Sequence, residues 1–402
     1  MNLVPLNDIL ASLESGARPH GGASADSGEI PSLGGEHLNS DGGFDFTNVK
    51  RIPRAFFDSM RGGRIAQRDI LVVKDGATTG KTSFVGMGFP FRAAAVNEHV
   101  FCVRVDQSKA VPQYVFHFLR SPLGRRAIAL DFRGATVGGI SRDFARKVRL
   151  PLPSLPEQGR IAAILDKADE LRSKRRTAIT QLDALVQSIF LDMFGGPVAS
   201  AWEMTTIAGI AADSDGAIRT GPFGSQLLHS EFTGEGIAVL GIDNAVENEF
   251  RWDQRRYISR AKYRQLSRYT VYPGDVLITI MGTCGRCAIV PDDIPTAINT
   301  KHLCCITLDR GRCLPVFLHS YFLRHPIARR YLEQRAKGAV MDGLNMGIIR
   351  DMPIPLAPIA LQQEFAVKLE GLDNVRREQR QSDAQLEALF ASLQYRAFRG
   401  EL

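Results

Sequence analysis

Apolar residues recur in steps of three and four along two stretches of the chain, and this spacing predicts two long helices. The first helix is expected to begin after Ser154, which forms a capping box with Glu157, and to end at Gly195-Gly196-Pro197. About 40 residues at roughly 1.5 Å each predict a rod near 60 Å long. Apolar positions seven apart with charges between them are typical of a coiled-coil seam. The predicted seam residues are Ile161, Leu165, Ala168, Ile179, Leu182, Val186, Ile189, Met193, Phe365, Leu369, Leu372, Leu386, Phe390, Leu393 and Ala397.

Polar residues interrupt the apolar stripe near the middle of both helices. Arg172 and Arg175 interrupt the first stripe, and Arg376, Gln379 and Asp383 interrupt the second. Two interpretations stay open: the seam shifts to another face of the helix at this point, or the polar positions contact a partner protein.

Shorter apolar runs with glycines and turns precede each long helix. Strands are predicted within residues 69–76, 99–105, 274–282 and 302–308, where β-branched and other apolar residues form short runs. Helical pieces near Tyr114–Leu130 and Val316–Gln334 lie between them. The mixture predicts an α+β fold with a globule before each helix.

The second half of the chain repeats the first at a fixed interval. Gly134 matches Gly338 and Pro151 matches Pro355, so the interval is 338 − 134 = 204 residues. The same interval relates Phe118-Leu119-Arg120 to Phe322-Leu323-Arg324, and Arg125-Arg126 to Arg329-Arg330. We therefore predict two similar α/β globules, residues 1–153 and 197–356, and two helices, residues 154–196 and 357–402. Two units related by a pseudo-two-fold axis place such helices antiparallel, as a coiled coil that separates the globules.

Composition narrows the class of protein only slightly. The 402 residues are 44% hydrophobic and 23% charged, which is ordinary for a soluble globular protein. No apolar run is long enough to span a membrane. The six cysteines do not repeat between the halves, which favours a reducing cytoplasm over a disulfide framework. The formal net charge of +7 fits a nucleic-acid partner in combination with the repeat.

A glycine-rich segment at Gly76–Ser83, GATTGKTS, resembles a phosphate-binding loop but has one residue too few between its glycines. The second half has GTCGRC at Gly282–Cys287, with Arg286 where the first has Lys81. The pair is better interpreted as a strand, a glycine turn and a projecting cation, which can reach a phosphate or a guanine edge.

Other candidate chemistry is weak. Cys284 and Cys287 have the CxxC spacing of a zinc site, but no second pair accompanies them, and we predict core cysteines and no bound metal. The sequence contains no convincing catalytic centre. The segment RTGPFGS at Arg219–Ser225 is either a DNA-contacting turn or a loop that supports the core.

The layout resembles the specificity (S) subunit of type I restriction-modification systems along essentially the whole chain. The resemblance lies in LPLPSLPEQGRIAAILDKADEL from Leu150, QLDALVQSIFLDMFG from Gln181, QLEALFASLQYRAFRGEL from Gln385 and the RTGPFGSQL turn. The second helix departs from the pattern, with Ala360-Leu361-Gln362 where the first has Pro156-Glu157-Gln158.

The resemblance implies a division of labour. Two target-recognition domains would each read one half of a split double-stranded DNA site, and the helices would set the gap and dock two methyltransferase (M) subunits. S-adenosylmethionine would belong to those partners and no cofactor to this chain, while cleavage would belong to restriction (R) subunits where these exist. The chain itself would not be an enzyme.

Donor side chains beside turns are the candidate DNA contacts. They are Arg18, Thr78, Thr79, Lys81, Asn97 and Arg133 in the first globule, and Arg219, Thr220, Arg286, Asn299, Lys301 and Lys337 in the second. Two other functions stay open: a stand-alone nucleotide-binding enzyme that uses the Gly76–Lys81 loop, and a coiled-coil scaffold without DNA specificity.

Overall fold

The computed structural model describes residues 3–23, 28–134, 138–196, 201–252, 255–336 and 343–402. The first half contains, in chain order, β1 (Leu3–Pro5), β2 (Leu10–Ser15), β3 (Ile30–Leu33), β4 (Lys50–Ile52), α1 (Arg54–Ser59), β5 (Ile70–Val73), β6 (Thr82–Phe84), β7 (Ala95–Val96), β8 (Val100–Val105), α2 (Pro112–Arg120), α3 (Pro122–Ala129), α4 (Phe144–Lys147), β9 (Arg149–Pro151) and α5 (Leu155–Phe194).

The second half contains the same kinds of element in a similar order. They are β10 (Glu203–Thr206), β11 (Ile218–Thr220), β12 (Phe232–Thr233), β13 (Ile237–Leu240), β14 (Tyr257–Ile258), α6 (Arg260–Leu266), β15 (Thr270–Val271), β16 (Val276–Thr279), β17 (Cys287–Ile289), β18 (Ala297–Asn299), β19 (Leu303–Ile306), α7 (Pro315–Arg324), α8 (Pro326–Ala336), α9 (Met346–Arg350), β20 (Pro353–Leu356) and α10 (Ile359–Ala397).

The four-stranded sheet has the same topology in the two halves, whereas the second sheet has three strands in the first half and five in the second. The first globule has a four-stranded sheet in the order β2-β8-β5-β6, and the second has β11-β19-β16-β17. Each globule also has a second sheet with one parallel pair, β3 with β7 and β13 with β18. Finally, β1 pairs with β9, and β10 pairs with β20. The α+β fold and the internal repeat predicted from the sequence are thereby confirmed.

The chain forms two compact units, and each includes parts of both long helices. The first unit is Met1–Thr177 with Arg380–Leu402, and the second is Ala178–Gln379. The unit boundaries therefore fall inside α5 and α10, although the helices themselves begin and end within a few residues of the predicted limits.

The two helices run antiparallel within each unit. In the first unit, the Arg160 guanidinium donates to the carbonyl oxygen of Leu402 at 2.7 Å, and twelve residues later Arg172 contacts Glu387. In the second unit, the rings of Phe190 and Phe365 lie 5.6 Å apart, and seven residues earlier on α5 Asp183 pairs with Arg376 at 2.9 Å. Along these contacts, the residue numbers rise on one helix as they fall on the other, which confirms the antiparallel arrangement.

The predicted seam faces the core throughout. Every seam residue named from the sequence is buried or half-buried in the structure. Ile161, Leu165 and Phe390 lie in the main core of the first unit, and Phe365 lies in that of the second. The sequence pattern missed three buried rings: Phe398 belongs to the core of the first unit, and Phe190 and Phe194 belong to that of the second.

A glutamine at the start of each long helix joins it to its globule. The amide of Gln158 donates to the carbonyl of Pro153 and accepts from the backbone N–H of Val111. Gln362, which is 204 residues later, makes the matching bonds with Ala357 and Leu314. Both glutamines are buried. The two helix starts, PEQ and ALQ, share only the glutamine, and this is the residue that bonds each helix to its globule.

Within the described ranges, no helix is both long enough and apolar enough to cross a membrane.

Candidate nucleic-acid interface

The Gly76–Ser83 segment is the turn of a β-hairpin. It joins β5 to β6, and the hairpin is closed by bonds of 2.8 Å from Gly80 N to Val73 O and from Val73 N to Lys81 O. Gly76 and Gly80 have φ values of +94° and +83°, a region that favours glycine. A nucleotide-binding loop leads from a strand into a helix, whereas this turn leads into a strand. The geometry therefore does not support the nucleotide-binding enzyme.

A cleft of about 290 Å³ lies beside this turn. Thr78, Thr79 and Lys81 of the turn line it, together with Arg125 of α3. Arg125 is exposed and Lys81 is half-buried. Hydroxyl groups and cations around an open cleft suit the phosphate oxygens of a nucleic acid.

The second globule has the same turn between β16 and β17. Gly282 and Gly285 have φ values of +72° and +80°. The N–H of Thr279 donates to the carbonyl of Arg286 at 2.9 Å, and Arg286 is exposed directly before β17. The predicted glycine turn with a cation is thus present in both globules.

Arg219 does not face solvent. Its side chain is 8% exposed and forms an ion pair of 2.5 Å with Asp275, which is itself 1% exposed. The guanidinium also donates to the carbonyl of Thr270 and to the hydroxyl of Thr307. Our candidate DNA contact at Arg219 is corrected on this ground: the side chain neutralises a buried carboxylate, which is the core-supporting alternative for this segment.

In the first globule, the corresponding carboxylate is neutralised by an arginine that lies on a different strand. Asp69 is buried and receives bonds of 2.8 and 2.7 Å from the guanidinium of Arg104 on β8. Asp275 occupies the matching place directly before β16, as Asp69 directly precedes β5, but its cation comes from β11 instead. The repeat therefore preserves the ion pair while exchanging the strand that supplies its cation.

Asn299 is also buried, and its amide donates to the carbonyl of Leu303 at 3.0 Å. A side chain with no exposed surface cannot reach a DNA base, so this candidate is corrected as well. The backbone of Asn299 packs against Gly221: a Cβ added at Gly221 would lie 2.0 Å from the Asn299 oxygen. Glycine in the RTGPFGS segment is thus required by close backbone approach, and the neighbouring Thr220 is half-buried.

The other candidates differ in exposure. Arg18 is 51% exposed and pairs with Glu98 at 3.0 Å, and Arg133 is 63% exposed and pairs with Asp131 at 3.2 Å. Asn97 and Lys301 are half-buried. Lys337 lies outside the described residues.

Asp131 is a buried acid that ties Arg133 to the core. Burial alone opposes its ionisation, but hydrogen bonds from Lys147 and Ser141 outweigh that effect and lower the pKa of Asp131 to about 2. Its carboxylate is therefore charged at neutral pH and holds the Lys147 ammonium at 2.5 Å. Arg133 pairs with the same carboxylate, yet most of its side chain stays exposed at the surface.

Four further arginines are exposed on helices of the two globules. Arg125 and Arg126 are exposed on α3, and Arg329 and Arg330 are exposed at the matching positions of α8. They were not chosen as contacts from the sequence, although the repeat relates the two pairs at 204 residues. Each globule thus presents a cation on a hairpin turn and two arginines on a helix.

The cysteines behave as small core residues. Cys287 and Cys304 flank Ile278 on neighbouring strands and are fully buried. Burial raises the pKa of the Cys304 thiol to about 12. Among the described residues, no group of three or more His, Cys, Asp or Glu side chains is arranged to hold a metal ion.

Comparisons with known proteins point to one family. The family described as "Type I restriction modification DNA specificity domain" matches residues 1–181. The EcoBI specificity subunit of a type I restriction enzyme from Escherichia coli is 25% identical over 79% of this chain and 73% of its own length. A type I restriction-modification S subunit from M. genitalium shares the fold with a TM-score of 0.59 at 13% identity, covering 99% of this chain and 96% of that one. A chain from a structure of complex assembly in a type I R-M system has a TM-score of 0.54 at 16% identity and covers 100% of this chain and 98% of its own length.

Proposed function

We propose that this chain, which is similar to the specificity subunits of type I restriction enzymes, selects the DNA site for such a system. The first globule reads one half of a two-part site, and the second globule reads the other half. The paired helices determine the number of base pairs between the halves.

The repeated turn is the observation that carries this proposal. Lys81 and Arg286 stand at the same place in two hairpins, each directly before the second strand. The side chains differ while the frame is conserved within the chain, as expected if one frame reads two different sequences. A bidentate arginine contact with a guanine discriminates against other bases by about 1–3 kcal/mol.

The exposed arginines supply the sequence-independent part of binding. Arg125 and Arg126 on α3, and Arg329 and Arg330 on α8, can pair with phosphates next to each turn. Thr78 and Thr79 add hydroxyl donors in the first cleft. Arg18, Asn97, Arg133, Thr220 and Lys301 remain proposed contacts.

The chemistry of the system resides in partner subunits. Two methyltransferase subunits, which would bind S-adenosylmethionine, dock on the helices, and restriction subunits join where the system cleaves DNA. This chain contributes recognition without catalysis, in the cytoplasm where the DNA is accessible. A scaffold without DNA specificity is the second candidate, and the test below separates the two.

Site-specific methylation by the reconstituted complex tests the proposal. The chain is combined with its methyltransferase partner, and methylated bases are mapped for the wild type, Lys81→Ala and Arg286→Ala. We expect each variant to relax the sequence preference in a different half-site if the cation reads a base. If it contacts a phosphate, we expect uniform weakening and a shallower dependence of binding on salt.

Lys368→Ala is the matched control, because this exposed lysine lies on α10, away from both hairpin turns in the sequence, and pairs with Glu364 four residues earlier. It should leave the methylated sites unchanged. Equal methylation of all sequences by the wild-type complex would favour the scaffold and overturn the proposal.

A further inference from the structure

The polar residues that interrupt the seam of the first unit form a charge network. The guanidinium of Arg172 is 8% exposed and binds both carboxylate oxygens of Glu387 on α10, at 2.9 and 2.6 Å. It also donates to Asp169 at 2.6 Å and lies 4.1 Å from the centre of the Phe390 ring. Asp169 in turn binds Arg120 of α2. The network therefore joins both helices and the globule.

The second unit repeats this network with homologous positions. The guanidinium of Arg376, which is 12% exposed, pairs with Asp183 of α5 at 2.9 Å and with Asp373 at 3.0 Å. It also lies 3.5 Å from Glu249 of the globule. Arg324 of α7 is half-buried beside these charges, and desolvation together with the nearby Arg376 lowers its pKa. Each of Arg120, Asp169, Arg172 and Asp183 thus has a charged counterpart 204 residues later.

Both ion pairs specify one alignment of the helices. In an antiparallel pair of helices, the numbers of facing residues add to a constant that defines the register. The residue numbers 172 and 387 add to 559, and so do 376 and 183, so both ion pairs belong to the same register. An apolar seam that repeats every seven residues can be satisfied after a slip of seven, because apolar positions again face one another. The charged pairs cannot be satisfied after such a slip, because no acid stands seven residues from Glu387 or Asp183 to take its place.

A slip of seven residues in one direction creates repulsion. It would place Arg172 opposite Arg380 and Arg376 opposite Arg176, so that like charges meet at both networks. Two cations close together in a largely desolvated place strongly disfavour that alignment.

A slip in the other direction leaves neither cation with an acid on the facing helix, while Asp169 and Asp373 on their own helices remain as partners. Arg172 would face Gln394, and Arg376 would face Phe190. A charge that loses a partner in a buried position is destabilised. Both seven-residue slips are therefore disfavoured by the same two arginines, while the apolar seam alone would permit them.

We propose that Arg172 and Arg376 are positioning residues that fix the register of the two helices, and through it the number of base pairs between the half-sites. A slip of seven residues displaces one helix by about 10 Å, which corresponds to about 3 base pairs at roughly 3.4 Å each. The DNA consequence depends on the proposed function, whereas the register itself does not.

The double variant Arg172→Met/Arg376→Met tests this inference. Methionine keeps much of the side-chain length and is compatible with a seam, and the facing acids that lose their cation, Glu387 and Asp183, are 38% and 55% exposed and therefore stay hydrated. Mapping of methylated sites should show, besides the original gap, gaps changed by about 3 base pairs. A folded, active double variant that retains the single wild-type gap overturns the proposal.

A measurement without DNA separates this inference from the proposed function. Spin labels at Ser173 and Leu389, two exposed positions on facing helix segments of the first unit, report the register as a distance. The wild-type chain should give one distance, and the double variant should add a second population shifted by up to about 10 Å. An unchanged single distance in the folded variant contradicts the register role even if no methylation is detected in any sample.

Two controls accompany the test. Lys167→Met/Lys368→Met removes two exposed helical pairs, with Glu170 and Glu364, and should leave gap and distance unchanged. If the methionine variant does not fold, Glu387→Gln/Asp183→Asn removes the same ion pairs with little change in shape. The same second distance is expected from it, and its absence refutes the inference.

Discussion

Replacing Arg219 by alanine distinguishes a structural role from a role in DNA contact. The change removes the 2.5 Å ion pair with Asp275 and leaves a carboxylate that is 1% exposed without its cation. Loss of one partner of a buried ion pair typically costs about 3–5 kcal/mol, because the remaining charge is stranded in a poorly solvated place. Thr307 and the backbone N–H of Tyr272 still donate to Asp275, which favours the lower end of that range.

Thermal unfolding of the full chain measures the effect. For a unit of about 200 residues, each kcal/mol lowers Tm by roughly 2–4 °C, so the transition of the second unit should fall by roughly 6–20 °C. Arg286→Ala is the matched control, since its exposed side chain contributes little to folding and its loss should change stability by no more than about 0.5 kcal/mol. An Arg219→Ala chain as stable as the wild type, with reduced DNA binding, would refute the structural role.

Two further predictions concern the second unit. Burial lowers the pKa of His319 to about 4, below the roughly 6.5 of an unfolded histidine. The stability from its neutral form is complete above pH 6.5 and is lost as pH falls toward 4, so acidification from pH 7 to 5 should cost about 2 kcal/mol. His319→Gln should reduce this pH dependence of the free energy of unfolding, measured by denaturant titration. A pH profile identical to that of the wild type would count against the role of His319. Gly221→Ala should destabilise the unit by about 1–3 kcal/mol, because its Cβ would lie 2.0 Å from the Asn299 oxygen. Gly234→Ala, which meets nothing within 4 Å, is the control, and equal stability of the two variants would contradict the packing argument.

Local sequence signals predicted the long helices well. The limits 154–196 and 357–402 compare with Leu155–Phe194 and Ile359–Ala397 in the structure, because the spacing of apolar residues and helix-ending glycines are local properties. The hairpin turns were predicted for the same reason. Two glycines followed by a cation describe a turn without reference to distant residues.

Individual site residues were harder to predict because their surroundings come from distant parts of the chain. Arg219 is buried through Asp275, which lies 56 residues later, and Arg172 finds Glu387 215 residues later. In both cases a basic residue viewed alone suggests an exposed contact. Of the two interpretations of the polar seam positions, neither included the ion pairs between the two helices that the structure shows at Arg172 and Arg376.

Mapping methylated bases in DNA exposed to the proposed methyltransferase partner, with and without this chain, decides whether the chain selects the site. We expect methylation that depends on the chain and falls within a site of two specified segments separated by a constant number of unspecified base pairs. Methylation at the same sites without the chain, or a single uninterrupted target sequence, would contradict it.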